Sequence, residues 1–278
     1  MLTNISDNMT KLWQETVARF AVTSVNSPRL TVALALADCI HQALVKHSGQ
    51  APVFAGKQDG RPLVGHRHAH VLCEANGKND SISHISVFAP AGFDESARRA
   101  LDTLTTAGVW GFGMGDLRLV LLGTGTPESF PDSRLFNSSC VWRSLTPFVS
   151  TRHPKLYRDG RPKLDVDGWP IGSPAHDLRR LIAESGLPPL VKVEELREIV
   201  VNSRRFRAFE FQMERRNGGG TRARQAPTAF QITFPAPVRG PLAFGYGAHF
   251  SLGLFLPIMD LGSCNPMKRT PTSLSATY

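Results

Sequence analysis

The order of hydrophobic patterns in the first half of the chain restricts its fold more than any other sequence feature. A strand-like run, Arg19 to Val25, is followed by apolar residues at helical spacing. Two further strand-like segments, His66 to Cys73 and Ile82 to Ala89, come next. A second helical pattern follows Asp94, and a strand-like run at Leu117 to Leu122 ends the series. The order strand, helix, strand, strand, helix, strand predicts an α+β domain of the ferredoxin-like (RRM-like) type.

Capping signals predict where the helices begin and end. Ser27 followed by Pro28 is typical of a helix start, and Asp94 is a good N-cap for the second helix. In the second half, Ser173 and Pro174 open a helix that Gly186 ends. The second half therefore repeats part of the order of predicted strands and helices in the first half.

Two alternating segments of the second half predict a hairpin. Residues 209–214 and 230–234 each alternate apolar and polar side chains, as half-buried strands do. The loop between them is basic and rich in glycine. We predict a first domain over residues 1–126, a linker over 127–139, a second domain over 140–256 and a flexible tail over 257–278.

The positive charge of the chain is concentrated in its second half. The whole chain carries 32 Lys and Arg against 23 Asp and Glu, a net charge of +9. Residues 141–240 hold 18 of these basic residues and only 10 of the acidic ones. A basic half beside a neutral half is typical of a protein that binds a polyanion such as nucleic acid, although a solvated basic face is the alternative. The absence of a long apolar run and of a signal-peptide pattern predicts a cytoplasmic protein with no membrane partner.

Three histidines alternate along the second predicted strand. His66, His68 and His70 would share one strand face. Three interpretations stay open: zinc ligands, structural imidazoles bonded to carbonyl groups, or a general acid or base. No cysteine or carboxylate stands at a familiar zinc spacing, and the chain has no CxxC pair, which favours the acid–base interpretation over the zinc one.

A glycine-rich stretch, residues 245–253, is the second feature with chemical content. Glycines at this density let a backbone approach a ligand closely and offer amide donors to phosphate oxygens. A dinucleotide fingerprint would need a following helix and an acidic partner, and the sequence shows neither. His249 lies inside this stretch, close to the expected ligand.

Several motifs together resemble one known family. They are Asp59-Gly60-Arg61-Pro62-Leu63, Gly65-His66-Arg67-His68-Ala69-His70, Ile85-Ser86-Val87-Phe88-Ala89-Pro90, Trp142-Arg143-Ser144-Leu145-Thr146-Pro147-Phe148, Arg152-His153-Pro154, Gly245-Tyr246-Gly247 and Gly253-Leu254-Phe255. Their combination resembles the CRISPR repeat-RNA endoribonuclease portion of the fused subunit in type I-G (formerly I-U) effector systems, within the superfamily of repeat-associated mysterious proteins. The resemblance extends from about residue 27 to residue 255.

The resemblance implies two tandem ferredoxin-like domains and cleavage of CRISPR repeat RNA without a metal or other cofactor. In such enzymes the ribose 2′-hydroxyl attacks the adjacent phosphate and leaves a 2′,3′-cyclic phosphate. The reaction needs a base, an acid and cations around the phosphorane, and histidine suits both proton roles.

The resemblance also implies site residues. His68 is the expected proton-transfer residue, with His66 and His70 beside it, while His41 and His47 on the first predicted helix are rivals. The resemblance further implies that Gly245, Gly247 and Gly253 bind RNA. From their charge or their position beside the glycine-rich stretch, the other residues expected to bind RNA are Arg143, Arg152, His153, Arg204, Arg205, Arg207, Arg215, Arg216, Arg222, Arg224, Arg239 and His249.

Two hypotheses about function follow, with a weaker third. The first is an endoribonuclease that cuts a repeat hairpin, with other effector-complex subunits as partners. The second is a non-catalytic subunit that holds the 3′ hairpin of the guide RNA. The third is a metal-dependent hydrolase built on the three histidines.

Overall fold

The first half of the chain folds as a four-stranded antiparallel sheet with helices. The computed structural model describes residues 15–63, 68–77, 80–109, 117–215 and 225–258. The strands of this half are β1 (Val17–Thr23), β2 (Lys57–Gln58), β3 (Arg61–Pro62), β4 (His70–Glu74), β5 (His84–Phe88) and β6 (Arg118–Gly125). The helices are α1 (Ala33–His47), α2 (Pro52–Ala55) and α3 (Glu95–Ala107).

The first sheet has the strand order β4-β5-β1-β6, with each neighbouring pair antiparallel. Along the chain its elements follow as β1, α1, β4, β5, α3 and β6. This is the order that the hydrophobic patterns predict. Ile40 and Leu44 of α1 and Leu101 and Leu104 of α3 are buried in one core with the sheet. The mixed class of helix and sheet is thereby confirmed.

The cap of α3 is confirmed, whereas the predicted start of α1 is wrong. Asp94 accepts a hydrogen bond of 2.7 Å from the amide of Ala97. Helix α1 begins at Ala33 instead of just after Ser27. The carbonyl of Pro28 accepts a hydrogen bond from the amide of Ile82, so this segment is held beside the sheet and cannot enter the helix.

The second half contains a larger sheet and a single long helix among its described residues. Its elements are β7 (Ser138–Ser144), β8 (Phe148–Val149), α4 (Pro174–Glu184), β9 (Lys192–Leu196), β10 (Ile199–Val201), β11 (Arg204–Phe206), β12 (Pro227–Arg239), β13 (Leu242–Ala243) and β14 (Leu254–Pro257). The hydroxyl of Ser173 caps α4, and Gly186 follows its end with φ of +76°, as predicted. In the described ranges no helix has the length and apolar character needed to cross a membrane.

The second sheet repeats the neighbour relations of the first. Its strands lie in the order β13-β14-β7-β12-β8, and β9 also pairs with β12. This sheet contains the neighbour order β9-β12-β7-β14, with each pair antiparallel. It corresponds strand for strand to the order β4-β5-β1-β6 of the first sheet. Residues 244–253 connect β13 to β14 as a loop with one 3₁₀ turn, at the place where the first half has α3.

The strand predicted over residues 209–214 does not form. Residues 208–210 are a 3₁₀ turn, in which the Glu210 carboxylate accepts a hydrogen bond from the Arg207 amide. Phe209 is 76% exposed whereas Phe211 is buried, so the alternating residues do not share one face. A local side-chain cap and the packing of Phe211 override the alternating pattern. The partner strand is present as part of β12.

The main hydrophobic core includes residues from both halves of the chain. Ile199, Phe206 and Phe211 are buried in the same cluster as the residues of α1, α3 and the first sheet. Phe136, from the predicted linker, also belongs to this cluster. The second half also has a cluster of its own, which includes Trp142, Phe148 and Leu178. The predicted domain boundaries stay predictions, and the two halves share the main cluster.

Candidate active site

The glycine-rich loop of the second half is bound to the edge of the first sheet. Strand β4 is an edge strand, and its outer backbone groups meet Ser251. The hydroxyl of Ser251 accepts a hydrogen bond of 2.8 Å from the Cys73 amide and donates one of 2.7 Å to the Val71 carbonyl. One side chain therefore satisfies two backbone groups that an edge strand would otherwise leave unpaired.

Thr146 holds the backbone of the same serine through hydrogen bonds within the second half. The Thr146 hydroxyl donates to the Ser251 carbonyl at 2.6 Å and accepts from the Leu254 amide at 3.0 Å. The Gly253 amide donates to the carbonyl of Pro147. These bonds hold the loop rigidly between the two sheets.

The glycines of this loop are required by the chain's own backbone. Gly245 and Gly253 have φ of +89° and +58°. A Cβ atom on Gly253 would lie 1.8 Å from the Phe244 carbonyl oxygen, and one on Gly245 would lie 2.5 Å from that of Val149. Internal packing thus explains both glycines, and the expected RNA contacts of Gly245, Gly247 and Gly253 stay predictions.

The docked loop places His249 between His68 and His70. The ring centroid of His249 lies 3.6 Å from that of His68 and 3.9 Å from that of His70. The outer two rings are 6.5 Å apart and nearly parallel, at 18°. We call these three residues the histidine cluster. His68 precedes the strand, which begins at His70, and His66 lies outside the described residues.

Close imidazole rings suit proton transfer. A proton on one imidazole ring disfavours a second proton on a ring close to it, so a pair of close rings can provide one acid and one base. Stacked rings do not point their nitrogens at one centre, as zinc ligands do. The described ranges contain no group of three His, Cys, Asp or Glu suited to a metal ion. Burial raises the pKa of the neighbouring Cys73 thiol to about 12, so this cysteine is not a thiolate nucleophile.

The rival histidine, His41, lies on α1 at the other side of Phe250. Its ring meets that of Phe250 edge-on at 5.0 Å, and its Nε2 lies 2.7 Å from the Phe54 carbonyl oxygen. Burial lowers the pKa of His41, although the hydrogen bond to Phe54 and the charge of Asp38 oppose this effect. Burial thus favours the neutral form of His41, and one of its nitrogens is engaged. His47 lies in the last turn of α1.

An open cavity of about 480 Å³ lies beside His41 and Arg215. The Arg215 guanidinium is 4.0 Å from the centroid of Phe250 and 3.1 Å from the carboxylate of Asp38. The phenol of Tyr246 is buried nearby and, among the described residues, has no hydrogen-bond partner. Burial raises the pKa of this phenol. The cavity is therefore lined by the Arg215 cation and the His41 imidazole, and the Phe250 ring of the glycine-rich loop lies against that cation.

The other expected RNA-binding arginines are dispersed. Arg143 bonds Gln231, and Arg204 forms an ion pair with Asp80. The remaining pairs are those of Arg205 and Arg207 with Glu198, and of Arg239 with Glu128. Arg152 and His153 are exposed, and the His153 ring contacts Gln225. Arg216, Arg222 and Arg224 lie outside the described residues.

Sequence reasoning gave no role to Ser251, Thr146 or Phe250. Ser251 had one local signal, because a non-glycine residue inside a glycine-rich turn suggests a side chain with a specific task. Thr146 and Phe250 had none, since their partners lie in distant parts of the chain. His249 was expected to meet RNA, and its contact with the other two histidines is a finding of the structure.

Comparisons with known proteins return structures of CRISPR-associated proteins. No family model matches the chain, and no curated protein matches it. A Cas6 product complex has a TM-score of 0.39 and 13% identity, covering 88% of this chain and 100% of that one. A RAMP protein binding different RNA substrates has a TM-score of 0.40 and 13% identity, covering 88% and 99%. A Cas6-related protein from Pyrococcus furiosus has a TM-score of 0.40 and 11% identity, covering 88% and 99%.

Proposed function

We propose that this protein is an endoribonuclease that cleaves CRISPR repeat RNA without a metal ion, built from two ferredoxin-like halves. The observation that carries the proposal is the histidine cluster at the junction of strand β4 with the glycine-rich loop. The cluster joins a predicted catalytic motif to a predicted RNA-binding motif. The basic second half supports an RNA partner, and we extend the proposal to a repeat hairpin and to effector-complex subunits.

The cluster has the groups that cleavage by a 2′-hydroxyl requires. One imidazole would take the proton from the 2′-hydroxyl, and a second would give a proton to the departing 5′-oxygen. The products would be a 2′,3′-cyclic phosphate and a 5′-hydroxyl. We assign the main proton transfer to His68 and name His249 as its partner. Arg215 would supply positive charge near the phosphate.

A cleavage assay in excess EDTA tests the proposal. Labelled repeat RNA is expected to be cut, and a 2′-deoxy substitution at the mapped cut site should abolish cleavage while leaving binding intact. Removing one positioned acid or base costs about 10²- to 10⁴-fold in rate. His68→Ala and His249→Ala should each lose that much and retain RNA binding.

Two further histidine variants serve as comparisons. His84 lies on β5 opposite Glu74, at the far end of the ladder from His70, so His84→Gln is a matched control that should cut normally. His41→Ala tests the rival directly. Full loss with His41→Ala and normal cleavage with His68→Ala would reassign the chemistry to α1. Binding without cleavage by the wild-type protein would favour the non-catalytic guide-RNA subunit instead.

A further inference from the structure

The segment between β8 and α4 contains a repeated turn that the histidine cluster does not use. Residues 156–162 and 164–170 share the pattern Leu-x-x-Asp-Gly-x-Pro. Each copy closes on itself through a bridge, Leu156 to Pro162 and Leu164 to Pro170. We call residues 155–171 the double turn.

Backbone hydrogen bonds make the double turn rigid. The Lys155 amide donates to the Ile171 carbonyl, the Ile171 amide to Lys163, and the Lys163 amide to Lys155, at 2.7–2.9 Å. Gly172 closes its base, because a Cβ atom there would lie 2.1 Å from the His153 carbonyl oxygen. A surface segment with this many internal bonds keeps its backbone, and so the points from which its side chains project, in fixed positions.

The second copy of the turn is anchored to α4. The carboxylate of Asp165 lies 3.6 Å from the His176 ring, and that of Asp167 lies 3.6 Å from Arg179. The Arg179 guanidinium also covers the ring of Trp169 at 4.7 Å. The acidic groups and the aromatic ring of this copy therefore already have partners within the fold.

The first copy and the two lysines that flank it face solvent with unbalanced positive charge. Its one carboxylate, Asp159, is paired with Arg161 at 2.7 Å. None of the ion pairs between described residues includes Lys155, Arg158 or Lys163. Tyr157 lies between Lys155 and Arg158 in the sequence and is 54% exposed. Its ring centroid lies 5.2 Å from the Lys163 ammonium.

From this arrangement we infer that the double turn binds a single-stranded stretch of RNA. Cations that project from a rigid backbone and can follow a phosphate chain, together with an exposed aromatic ring on which a base can stack, are the features of single-strand sites. A protein partner would need carboxylates to match the lysines and arginine. The choice of RNA over DNA rests on the proposed function, and the site lies outside the histidine cluster.

Binding of a fluorescein-labelled oligo(U) to the full chain tests this inference. The variant Lys155→Ser/Arg158→Ser/Lys163→Ser should lower the affinity by about tenfold or more at low salt. The slope of log affinity against log salt should fall by about 2, since each phosphate contact to a single strand contributes about 0.7. The variant Arg99→Ser/Arg118→Ser/Arg197→Ser removes the same charge from exposed positions elsewhere and is the matched control.

Substitutions of Tyr157 separate stacking from charge. Tyr157→Ala should weaken oligo(U) binding by about tenfold, whereas Tyr157→Phe keeps the ring and should bind as the wild type does. Equal affinities for the wild type and the three-charge variant, or equal losses in that variant and its control, would overturn the inference. If the wild type bound no RNA at all, the proposed function would fail. Normal wild-type binding and cleavage with unaffected double-turn variants would reject the double-turn site alone.

Discussion

Ser251 occupies a backbone conformation that usually belongs to glycine, with φ of +65°. The hydrogen bonds of its hydroxyl to the Cys73 amide and the Val71 carbonyl offset the strain of this left-handed backbone. Two residues earlier in the chain, His249 is thereby held against His68 and His70. Ser251 is a positioning residue, since it acts on the proposed chemistry only through His249.

Removing the Ser251 hydroxyl should destabilise the protein and slow cleavage. Ser251→Ala leaves the buried Cys73 amide unpaired, at a cost of about 1–3 kcal/mol in the free energy of unfolding. Ser251→Gly loses the same bonds but relieves the left-handed backbone, so it should be about 1–2 kcal/mol more stable than the alanine variant. Urea denaturation measures this order, and a glycine variant less stable than the alanine variant would contradict it.

Glu74 forms a buried ion pair that should make the stability depend on pH. Burial alone would raise the pKa of the Glu74 carboxyl, but the hydrogen bonds and charge of Arg19, with Ser86 and Ser133, hold it below its ordinary value of 4.5. Because the folded pKa is the lower one, the carboxylate stabilises the protein above the unfolded pKa. This contribution disappears as the pH falls through the folded pKa.

A Glu74→Gln variant isolates this effect. It should lose about 3–5 kcal/mol of unfolding free energy at neutral pH, because Arg19 is left buried without its counterion. Between neutral pH and about pH 3, the wild type should lose the stabilisation that the ionised Glu74 carboxylate provides. The variant has no carboxylate at this position, so the difference in unfolding free energy between the two proteins should shrink. Urea denaturation at both pH values measures the difference. A constant gap between wild type and variant would show that Glu74 does not titrate with unfolding.

At the level of elements, the loop between β13 and β14 decides where the two halves meet. It follows the second sheet where the first half has a helix, and its glycines allow the chain to touch its own backbone. The loop also carries His249, Phe250 and Ser251, which face residues of the first half. A helix in this place would not bring His249 and Ser251 to strand β4 and Phe250 to helix α1.

Alanine at two glycines that both have a left-handed backbone conformation should have unequal effects. Gly253 and Gly186 have φ of +58° and +76°, so alanine costs about 1–2 kcal/mol at either one through backbone strain. Only at Gly253 would the Cβ atom collide with backbone, that of Phe244. Gly253→Ala should therefore lower the melting temperature more than Gly186→Ala and should also abolish cleavage. Equal melting temperatures would show that the loop can move aside.

At the level of the whole molecule, the two halves share the main hydrophobic cluster, the second half has a further cluster of its own, and the charge is distributed unevenly between the halves. Phe206 and Phe211 of the second half are buried with residues of α1 and α3, and Ser133 bonds Glu74 across the same boundary. Separating the halves would expose this apolar surface to water. The basic residues, by contrast, are concentrated in the second half.

The full chain should accordingly unfold in one cooperative transition. In a variant whose other three tryptophans are replaced by phenylalanine, the fluorescence of Trp142, which is buried in the second half, and the far-UV circular dichroism of the whole chain should give coincident urea curves. A fragment of residues 1–126 should lack a cooperative transition, because the residues that cover its core are missing. Separate transitions in the full chain would show that the halves fold independently.

Local features of the fold could be predicted from the amino-acid sequence. The Asp94 cap, the start of α4 after Ser173 and its end at Gly186 depend on hydrogen bonds between residues a few positions apart. The order of elements in the first half follows from hydrophobic periodicity, which reports burial on one face of each element. These signals depend on residues that are close together in the sequence, so they can be recognised without a structure.

Contacts between distant residues could be decided only by the packed chain. The histidine motif marked His68 and His70, but nothing local to either motif indicates that His249 lies between them. That contact depends on Ser251 meeting an edge strand 178 residues away, and on both halves sharing a core. The strand predicted from the alternating pattern of residues 209–214 is absent for the same reason, because Phe211 is buried against the first half. Local patterns record what the backbone prefers, while the packing of one half on the other decides which side chains meet.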